Sequence, residues 1–209
     1  MSKMACFSPI GCFTTLTIHL TGFKLPPYAQ LEIFPPLNPV IGNIASIIQA
    51  FRAASFPVIH ISHDSLEESS PLRKLCPEGY ATIPEAAPVG DEVVFVKHVN
   101  SSFIGTGLEA HLRAAKIDTL VILGLTTSHC VSTTTRMAGN FGFTVFLPRD
   151  ATAMFELPAA PGNSRSKRFD AETMHEVALA ELHEEFATVV TTEEIIAGVK
   201  GHVNVVSSP

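Results

Sequence analysis

The sequence predicts an α/β fold with three layers, in which helices cover both faces of a mostly parallel sheet of about six strands. Two observations lead to this expectation. Apolar, strand-like runs alternate with segments of helical periodicity along the 209 residues, and such alternation favours parallel strands joined by right-handed crossovers. The run at 119–124 is also continuously apolar, as is typical of a strand buried on both faces of a sheet.

Three strands are predicted in the first half of the chain. Residues 13–20 are rich in β-branched side chains and predict the first strand. Apolar runs at 57–62 and 92–97 predict the second and third strands. The segments 21–36 and 63–92 contain many prolines and are predicted as loops, and a loop as long as the second is usually functional or part of an interface.

Two helices are predicted in the same half of the chain. Asn38 followed by Pro39 marks a helix start, with Asn38 as the capping residue. Apolar residues then recur at helical spacing through 40–51 and should face the core. Farther along, Thr106 and Glu109 have the spacing of a capping box, which predicts a helix that runs to about residue 116.

The segment 119–153 is the part of the chain around which we expect the sheet to be organised. Its pattern predicts a strand, a sharp turn, a helix and a second buried strand at 143–147. Ser128 is positioned to cap the helix, and Gly142 is positioned to end it. Cys130 therefore falls in the first helical turn after a strand, which is where sites lie in open parallel sheets.

The remainder of the chain predicts a loop, two helices and a last strand. Residues 157–168 are rich in Pro, Gly and Ser and locally basic, which favours a mobile flap. Asp170 can cap the helix that follows, and a strand is expected at 187–190. Thr191 and Glu194 then have the spacing of a capping box for a short terminal helix. The expected buried stripe of the longer helix comprises Met174, Ala178, Leu182 and Phe186.

Composition indicates a single globular domain over residues 1–209 and narrows the classes of function. Apolar residues make up 46%, charged residues make up 16%, and the formal net charge is −6. This charge argues against nucleic acid or an anionic membrane surface as a partner, and no run approaches the roughly 20 apolar residues that span a bilayer. The cysteines are far apart, without zinc or disulfide spacing, so we expect reduced thiols and a cytoplasmic location.

Cys130 is the strongest candidate for chemistry in the sequence. A helix N-terminus presents backbone N–H groups and the positive end of the helix dipole, which favour a thiolate. Lys97, at the end of the third predicted strand, would add a positive charge nearby. Because the thiolate is the reactive form of cysteine, this arrangement favours nucleophilic catalysis, and a buried structural cysteine is the alternative.

The turn and the strand after it contain a long ordered motif, Gly-x-x-Thr-x-x-Cys-Val followed by Gly-Phe-x-Val and Asp-Ala. Its members here are Gly124, Thr127, Cys130, Val131, Gly142, Phe143, Val145, Asp150 and Ala151. Together with VKHVNSSFIG at 96–105 and PVIHISHDS at 57–65, the motif resembles the signature of the isochorismatase-like cysteine hydrolases. The resemblance covers nearly the whole chain. It implies a hydrolase that cleaves an amide C–N bond or a vinyl ether bond of a small organic molecule.

The resemblance also implies roles for individual residues. In that family a cysteine nucleophile works with a lysine and with an aspartate that ends the first strand and takes the thiol proton. Cys130 and Lys97 match the first two by motif. The family's non-proline cis peptide matches Leu125–Thr126, and the backbone N–H groups of Thr126 and Cys130 would hold an oxyanion. The first strand here ends in the sequence IHLT, so His19 stands at the aspartate position.

Three interpretations of His19 stay open at this point. A neutral imidazole can accept the thiol proton, which would make a variant His-Lys-Cys triad. Alternatively, the pocket performs altered, non-hydrolytic chemistry, or the protein is a catalytically silent ligand-binding or interaction protein on the same fold. A protonated His19 would repel Lys97, so the first interpretation requires the neutral form as the acceptor.

Other residues near the predicted site are candidates for substrate contact. Ser102 and Phe103 lie in the NSSF segment that follows the third strand, and His129 is adjacent to the nucleophile. We expect all three to flank the pocket, with ordinary loop and helix roles as the alternative.

The resemblance raises one more possibility, because some members of that family hold a metal near the second strand, where His60, His63 and Asp64 lie in this sequence. Their alternation along a strand does not direct three ligands to one side, so we expect no metal and no cofactor. The resemblance further implies a homo-oligomer, either a dimer or a tetramer.

Overall fold

The fold was obtained as a computed structural model, which describes residues 12–18, 37–70, 72–160 and 168–206, with the backbone alone at 12–18, 78 and 203–206. The predicted loop 21–36 and most of the predicted flap, residues 161–167, lie outside the described residues. In chain order the strands are β1 Cys12–Ile18, β2 Val58–His63, β3 Val93–Lys97, β4 Ile117–Leu125, β5 Thr144–Pro148, β6 Thr152–Ala153, β7 Leu157–Pro158, β8 Arg168–Phe169 and β9 Thr188–Val190. The helices are α1 Asn38–Ala53, α2 Pro77–Tyr80, α3 Leu108–Ala114, α4 Ser132–Asn140, α5 Ala171–Leu182 and α6 Thr192–Val206.

The main sheet is parallel, with the strand order β3-β2-β1-β4-β5-β9 and with β6 paired to β4. β4 lies near the middle, and its burial is almost complete, as its continuous apolar run predicts. β7 and β8 form a separate antiparallel pair. The carboxyl ends of β1, β2, β3 and β4 therefore lie along one edge of the sheet, which is where the candidate residues meet.

Helices pack on both faces of the sheet, so the predicted α/β architecture is confirmed. On one face, Ile44 and Phe51 of α1 pack with Ile195 of α6. On the other face, Leu112 of α3 and Leu179 of α5 belong to a second buried cluster, to which α4 also contributes. That residues 1–209 form a single domain stays a prediction. In the described part of the chain, no helix is long and apolar enough to cross a bilayer.

The expectations for the helix ends are partly confirmed. Asp170 accepts a hydrogen bond from the Thr173 backbone N–H at 2.8 Å, as a cap for α5. The Thr191 N–H donates to the Glu194 carboxylate at 2.7 Å, and the Glu194 N–H donates to the Thr191 hydroxyl at 3.2 Å, which is the predicted capping box of α6. Gly142 has a φ of +82°, suited to glycine at the turn after α4.

The capping predictions for α1 and α4 are wrong, and the prediction for α3 is confirmed in part. The Thr106 hydroxyl accepts a hydrogen bond from the Leu108 N–H at 3.3 Å, although α3 itself begins after Gly107. Asn38 is the first residue of α1 rather than its cap. Ser128 lies inside a π-type turn, Thr127–Val131, that precedes α4. The buried apolar face of α1, rather than a side-chain cap, therefore sets its start.

Candidate active site

The ends of neighbouring strands bring three reactive side chains to one edge of the sheet. His63 ends β2 and is paired in register with Lys97, which ends β3. Cys130 lies in the turn that follows β4. β1 is located between β2 and β4, and His19 follows it in sequence but lies outside the described residues. The structure therefore brings Cys130 and Lys97 together, as the motif implies, and adds His63.

Lys97 is completely buried and has four close polar neighbours. Its Nζ lies 3.0 Å from the Val99 carbonyl oxygen, 2.9 Å from the Asn100 carbonyl oxygen, 3.1 Å from Cys130 Sγ and 3.3 Å from His63 Nδ1. Burial lowers the pKa of the Lys97 ammonium, and the neighbouring sulfur acts to raise it. A buried ammonium is costly unless it is paired. The two carbonyl oxygens and the sulfur provide partners that offset this cost.

The sulfur of Cys130 faces polar groups, although the residue is only 7% exposed. Besides Lys97 Nζ, it lies 3.9 Å from His63 Nδ1 and 3.9 Å from Asn100 Oδ1. A structural cysteine would be surrounded by apolar side chains. Here a cation and an imidazole approach the sulfur, which is the environment that favours a thiolate nucleophile.

His63 is a functional candidate that the sequence reasoning missed. It was considered only as a metal ligand, yet its ring nitrogen faces both the lysine and the sulfur. Burial, followed by the charge of Lys97, lowers the pKa of His63 to about 4. The imidazole is therefore neutral near pH 7. The parallel pairing of β2 with β3, which sets His63 beside Lys97, is the signal that could have revealed it.

The turn that carries the nucleophile has an unusual backbone. The peptide bond between Leu125 and Thr126 is cis. The Thr126 carbonyl accepts hydrogen bonds from the His129 N–H at 3.1 Å and the Val131 N–H at 3.3 Å. These bonds close the turn around Cys130 and fix the position of its backbone.

A second histidine attaches this turn to α5. The Thr127 hydroxyl lies 2.8 Å from His175 Nδ1, and His175 Nε2 lies 3.0 Å from the Arg149 carbonyl oxygen. A carbonyl can only accept, so Nε2 carries the proton and Thr127 donates to Nδ1. Both Thr127 and His175 are buried. Burial also lowers the pKa of His175, which keeps the ring neutral.

The three predicted substrate-contact residues have different surroundings. Ser102 is completely buried and lies 3.1 Å from the Thr134 hydroxyl. The ring of Phe103 packs in the core against Phe141. His129 is half-buried, with Nδ1 3.1 Å from the Thr126 hydroxyl. Substrate contact by these residues stays a prediction, and the contacts of Ser102 and Phe103 are those of packing residues.

The residues considered as metal ligands do not form one group. His60 Nε2 lies 2.8 Å from the Glu92 carboxylate, whereas His63 faces Lys97 and Cys130. Among the described residues, no three His, Cys, Asp or Glu side chains are grouped as a metal site would require.

Comparison with known proteins relates this geometry to a family. The model of the isochorismatase domain family matches residues 29–194. The uncharacterized isochorismatase family protein YrdC of Bacillus subtilis is 46% identical over 154 residues, which are 74% of this chain and 80% of that protein. N-carbamoylsarcosine amidase of Arthrobacter sp. is 33% identical over 132 residues, which are 56% of this chain and 50% of that protein. A cysteine hydrolase from Pseudomonas syringae pv. phaseolicola has a similar structure, with a TM-score of 0.82 and 25% identity, over 97% of this chain and all of that one.

Proposed function

The chain belongs to the isochorismatase family, and we propose that it is a cysteine hydrolase that cleaves an amide C–N bond of a small organic molecule. The observation that carries this proposal is the 3.1 Å contact between Lys97 Nζ and Cys130 Sγ beyond the ends of parallel strands. A buried cation against a sulfur has a clear chemical use, because it stabilises the thiolate that attacks a carbonyl. Similarity to an amidase and to a cysteine hydrolase supports the same reaction class.

The proposed reaction has two stages. The Cys130 thiolate attacks the amide carbonyl, and the backbone N–H groups of Thr126 and Cys130 hold the oxyanion, a contribution of about 3–4 kcal/mol per donor in other enzymes. Lys97 stabilises the negative charge while the amine leaves with a proton. Water then attacks the resulting thioester and restores the thiol. A neighbouring base takes the thiol proton; the resemblance implies that this base is His19, at the family's aspartate position, and that assignment stays a prediction.

Two broader expectations belong to the same proposal. A reduced nucleophilic thiol suits a cytoplasmic location, and the resemblance suggests a homodimer or homotetramer. Sedimentation velocity of the purified protein would give the stoichiometry directly, and a monomer would contradict that part of the proposal.

Turnover of a substrate panel tests the function. We would incubate the protein with small primary amides, N-carbamoyl compounds and vinyl ethers and measure ammonia, amine or enol products. We expect an amide or N-carbamoyl compound to be hydrolysed, and we expect Cys130→Ser to lower kcat/KM at least 10³-fold, as for other nucleophile removals. Cys76→Ser is the matched control, because Cys76 is an exposed cysteine, whereas Cys130 is buried.

Three results would count against this function. If Cys130→Ser keeps wild-type activity, the nucleophile is wrong. If only vinyl ethers react, the amide assignment is wrong. If nothing reacts and Cys130 behaves as an ordinary thiol, the silent ligand-binding interpretation replaces the enzyme. Intact-mass detection of a thioester on Cys130, and not on Cys130→Ser, would support the proposed intermediate.

A further inference from the structure

His63 occupies a position from which it can exchange a proton with the nucleophile. Its Nδ1 lies 3.9 Å from Cys130 Sγ and 3.3 Å from Lys97 Nζ. The residue is 8% exposed, so bulk water has little access to this contact. The family resemblance implies no acid–base role for this position, and the predicted base, His19, follows β1 in sequence.

The hydrogen-bond capacity of Lys97 determines which form of His63 fits. An ammonium has three N–H donors and no acceptor. Two carbonyl oxygens, those of Val99 and Asn100, lie 3.0 and 2.9 Å from Nζ. The third N–H is therefore left for Cys130 Sγ and His63 Nδ1. A protonated Nδ1 would direct an N–H at an ammonium, so Nδ1 presents its lone pair and the ring proton is on Nε2.

We propose that His63 is a catalytic acid–base residue, which accepts the Cys130 thiol proton at Nδ1 and returns it to the leaving amine. This inference rests on the proposed cysteine hydrolase function. In the first step the S–H bond breaks and an Nδ1–H bond forms, so that a thiolate and an imidazolium replace two neutral groups. In the second step the tetrahedral intermediate loses its amine, which takes the Nδ1 proton. During hydrolysis of the thioester, Nδ1 accepts a proton from water and Cys130 recovers it.

Electrostatics make His63 a transient rather than a permanent proton carrier. Burial disfavours an imidazolium at His63, and the neighbouring Lys97 ammonium repels it. The charge of His98 acts in the same direction, whereas the Asp64 carboxylate and a hydrogen bond to the His98 backbone partly offset these effects. The thiolate formed in the same step supplies a compensating negative charge within 4 Å. When that charge passes into the substrate, the imidazolium is destabilised, which favours transfer of its proton to the leaving group.

Alkylation of Cys130 by iodoacetamide tests this inference without a substrate. The rate at Cys130 would be followed by peptide mass spectrometry from pH 5 to 9 in wild type, His63→Gln, His19→Gln and the double variant. We expect His63→Gln to slow alkylation at pH 7 at least tenfold and to shift the rise in rate to higher pH. His183→Gln is the matched control, because His183 is exposed and follows α5 in sequence.

The role in the reaction itself has a separate readout. With an amide substrate, His63→Gln should lower kcat/KM about 10²–10⁴-fold, as removal of an acid–base group does elsewhere. His63→Ala, which leaves a cavity, should recover part of its alkylation rate on addition of imidazole. Circular dichroism would show whether each variant is folded. If one of the two does not fold, the alkylation and turnover measurements are made on the other.

The outcomes separate this inference from the proposed function. Unchanged alkylation and unchanged pH dependence in both His63 variants would overturn the role of His63, whatever happens to turnover. If His19→Gln alone shows the loss, the predicted strand-end histidine is the acceptor and His63 is not. If Cys130→Ser retains activity, the cysteine hydrolase function itself fails, even where His63 affects alkylation.

Discussion

Lys97 Nζ lies 3.1 Å from Cys130 Sγ, and neither residue is more than 7% exposed. A lysine that is completely buried loses its hydration, which costs several kcal/mol unless nearby groups replace it. Two backbone carbonyls provide part of that replacement. A thiolate at Cys130 would supply the remaining replacement for the lost hydration of Lys97. The lysine charge therefore stabilises the reactive form of the sulfur.

The first prediction concerns removal of the Lys97 charge. Lys97→Met keeps most of the buried volume and removes the charge, so the alkylation rate of Cys130 at pH 7 should fall about 10²-fold. Lys97→Arg should fail as well, because a planar guanidinium does not fit a site shaped for an ammonium. Lys200→Met, at an exposed position of α6, should behave as wild type. Wild-type alkylation of Lys97→Met would contradict the role of the lysine.

The second prediction concerns the link between the nucleophile turn and α5. Thr127→Val or His175→Leu leaves a buried polar partner unsatisfied, so each should lower the free energy of unfolding by about 1–3 kcal/mol. The double variant should lose less than the sum, with a coupling of about 0.5–3 kcal/mol. Urea unfolding of the four proteins measures this cycle. Additive losses would show that the 2.8 Å contact does not couple the two residues.

The third prediction follows from the low pKa of His63. Its folded-state pKa is about 4, below the unfolded value of about 6.5, so in this window the unfolded chain binds the extra proton. The free energy of unfolding should therefore fall as the pH is lowered from about 6.5 towards 4. Burial lowers the pKa of His60, His129 and His175 in the same direction.

Thermal unfolding at pH 7, 6, 5 and 4 would measure this loss. His63→Gln should show a shallower decline, whereas His183→Gln, at an exposed position, should decline with the slope of the wild type. The His63 argument fails if the decline has the same slope in all three proteins.

The fourth prediction concerns a charged cluster away from the site. The Glu92 carboxylate accepts hydrogen bonds from Arg52 at 2.8 Å, from His60 at 2.8 Å and from the Val89 N–H at 2.9 Å. Although burial acts to raise it, these bonds lower the pKa of Glu92 to about 2. Glu92→Gln keeps the shape but loses the charge, so unfolding should become easier by about 2 kcal/mol.

Chemical denaturation would measure this change, with Glu85→Gln at an exposed position as the control. A loss no larger than that of the control would mean that the carboxylate charge contributes nothing there. Glu92 contacts His60, which lies on β2 three residues before His63. The rate of Cys130 alkylation should therefore also be measured in Glu92→Gln, and we expect it to be little changed.

Much of the fold is predictable from local patterns in the sequence. The alternation of strands and helices gives the parallel sheet, and the run before Cys130 gives β4, because these signals depend on burial alone. The start of α1 is less predictable, since Asn38 resembles a cap but is the first residue of the helix. A capping pattern is worth about 1 kcal/mol, which a buried helix face readily outweighs.

The site is only partly predictable for a related reason. Cys130 is predictable because a long motif surrounds it. Lys97 is predictable because it ends an apolar run that predicts a strand. His63 is missed because its role depends on the register of β2 against β3, which no short pattern encodes. Ser102 and Phe103 are adjacent in sequence to a predicted site, yet the chain directs both inward, and only the folded loop reveals this.

The most direct test of the account compares two cysteines of the same protein. Cys76 is exposed, whereas Cys130 is buried beside Lys97. If Cys130 is an activated nucleophile, iodoacetamide at pH 7 should modify it at least about tenfold faster than Cys76, despite the difference in exposure. The account is contradicted if Cys76 reacts first and Cys130 is modified only above about pH 8.5, as an ordinary thiol would be.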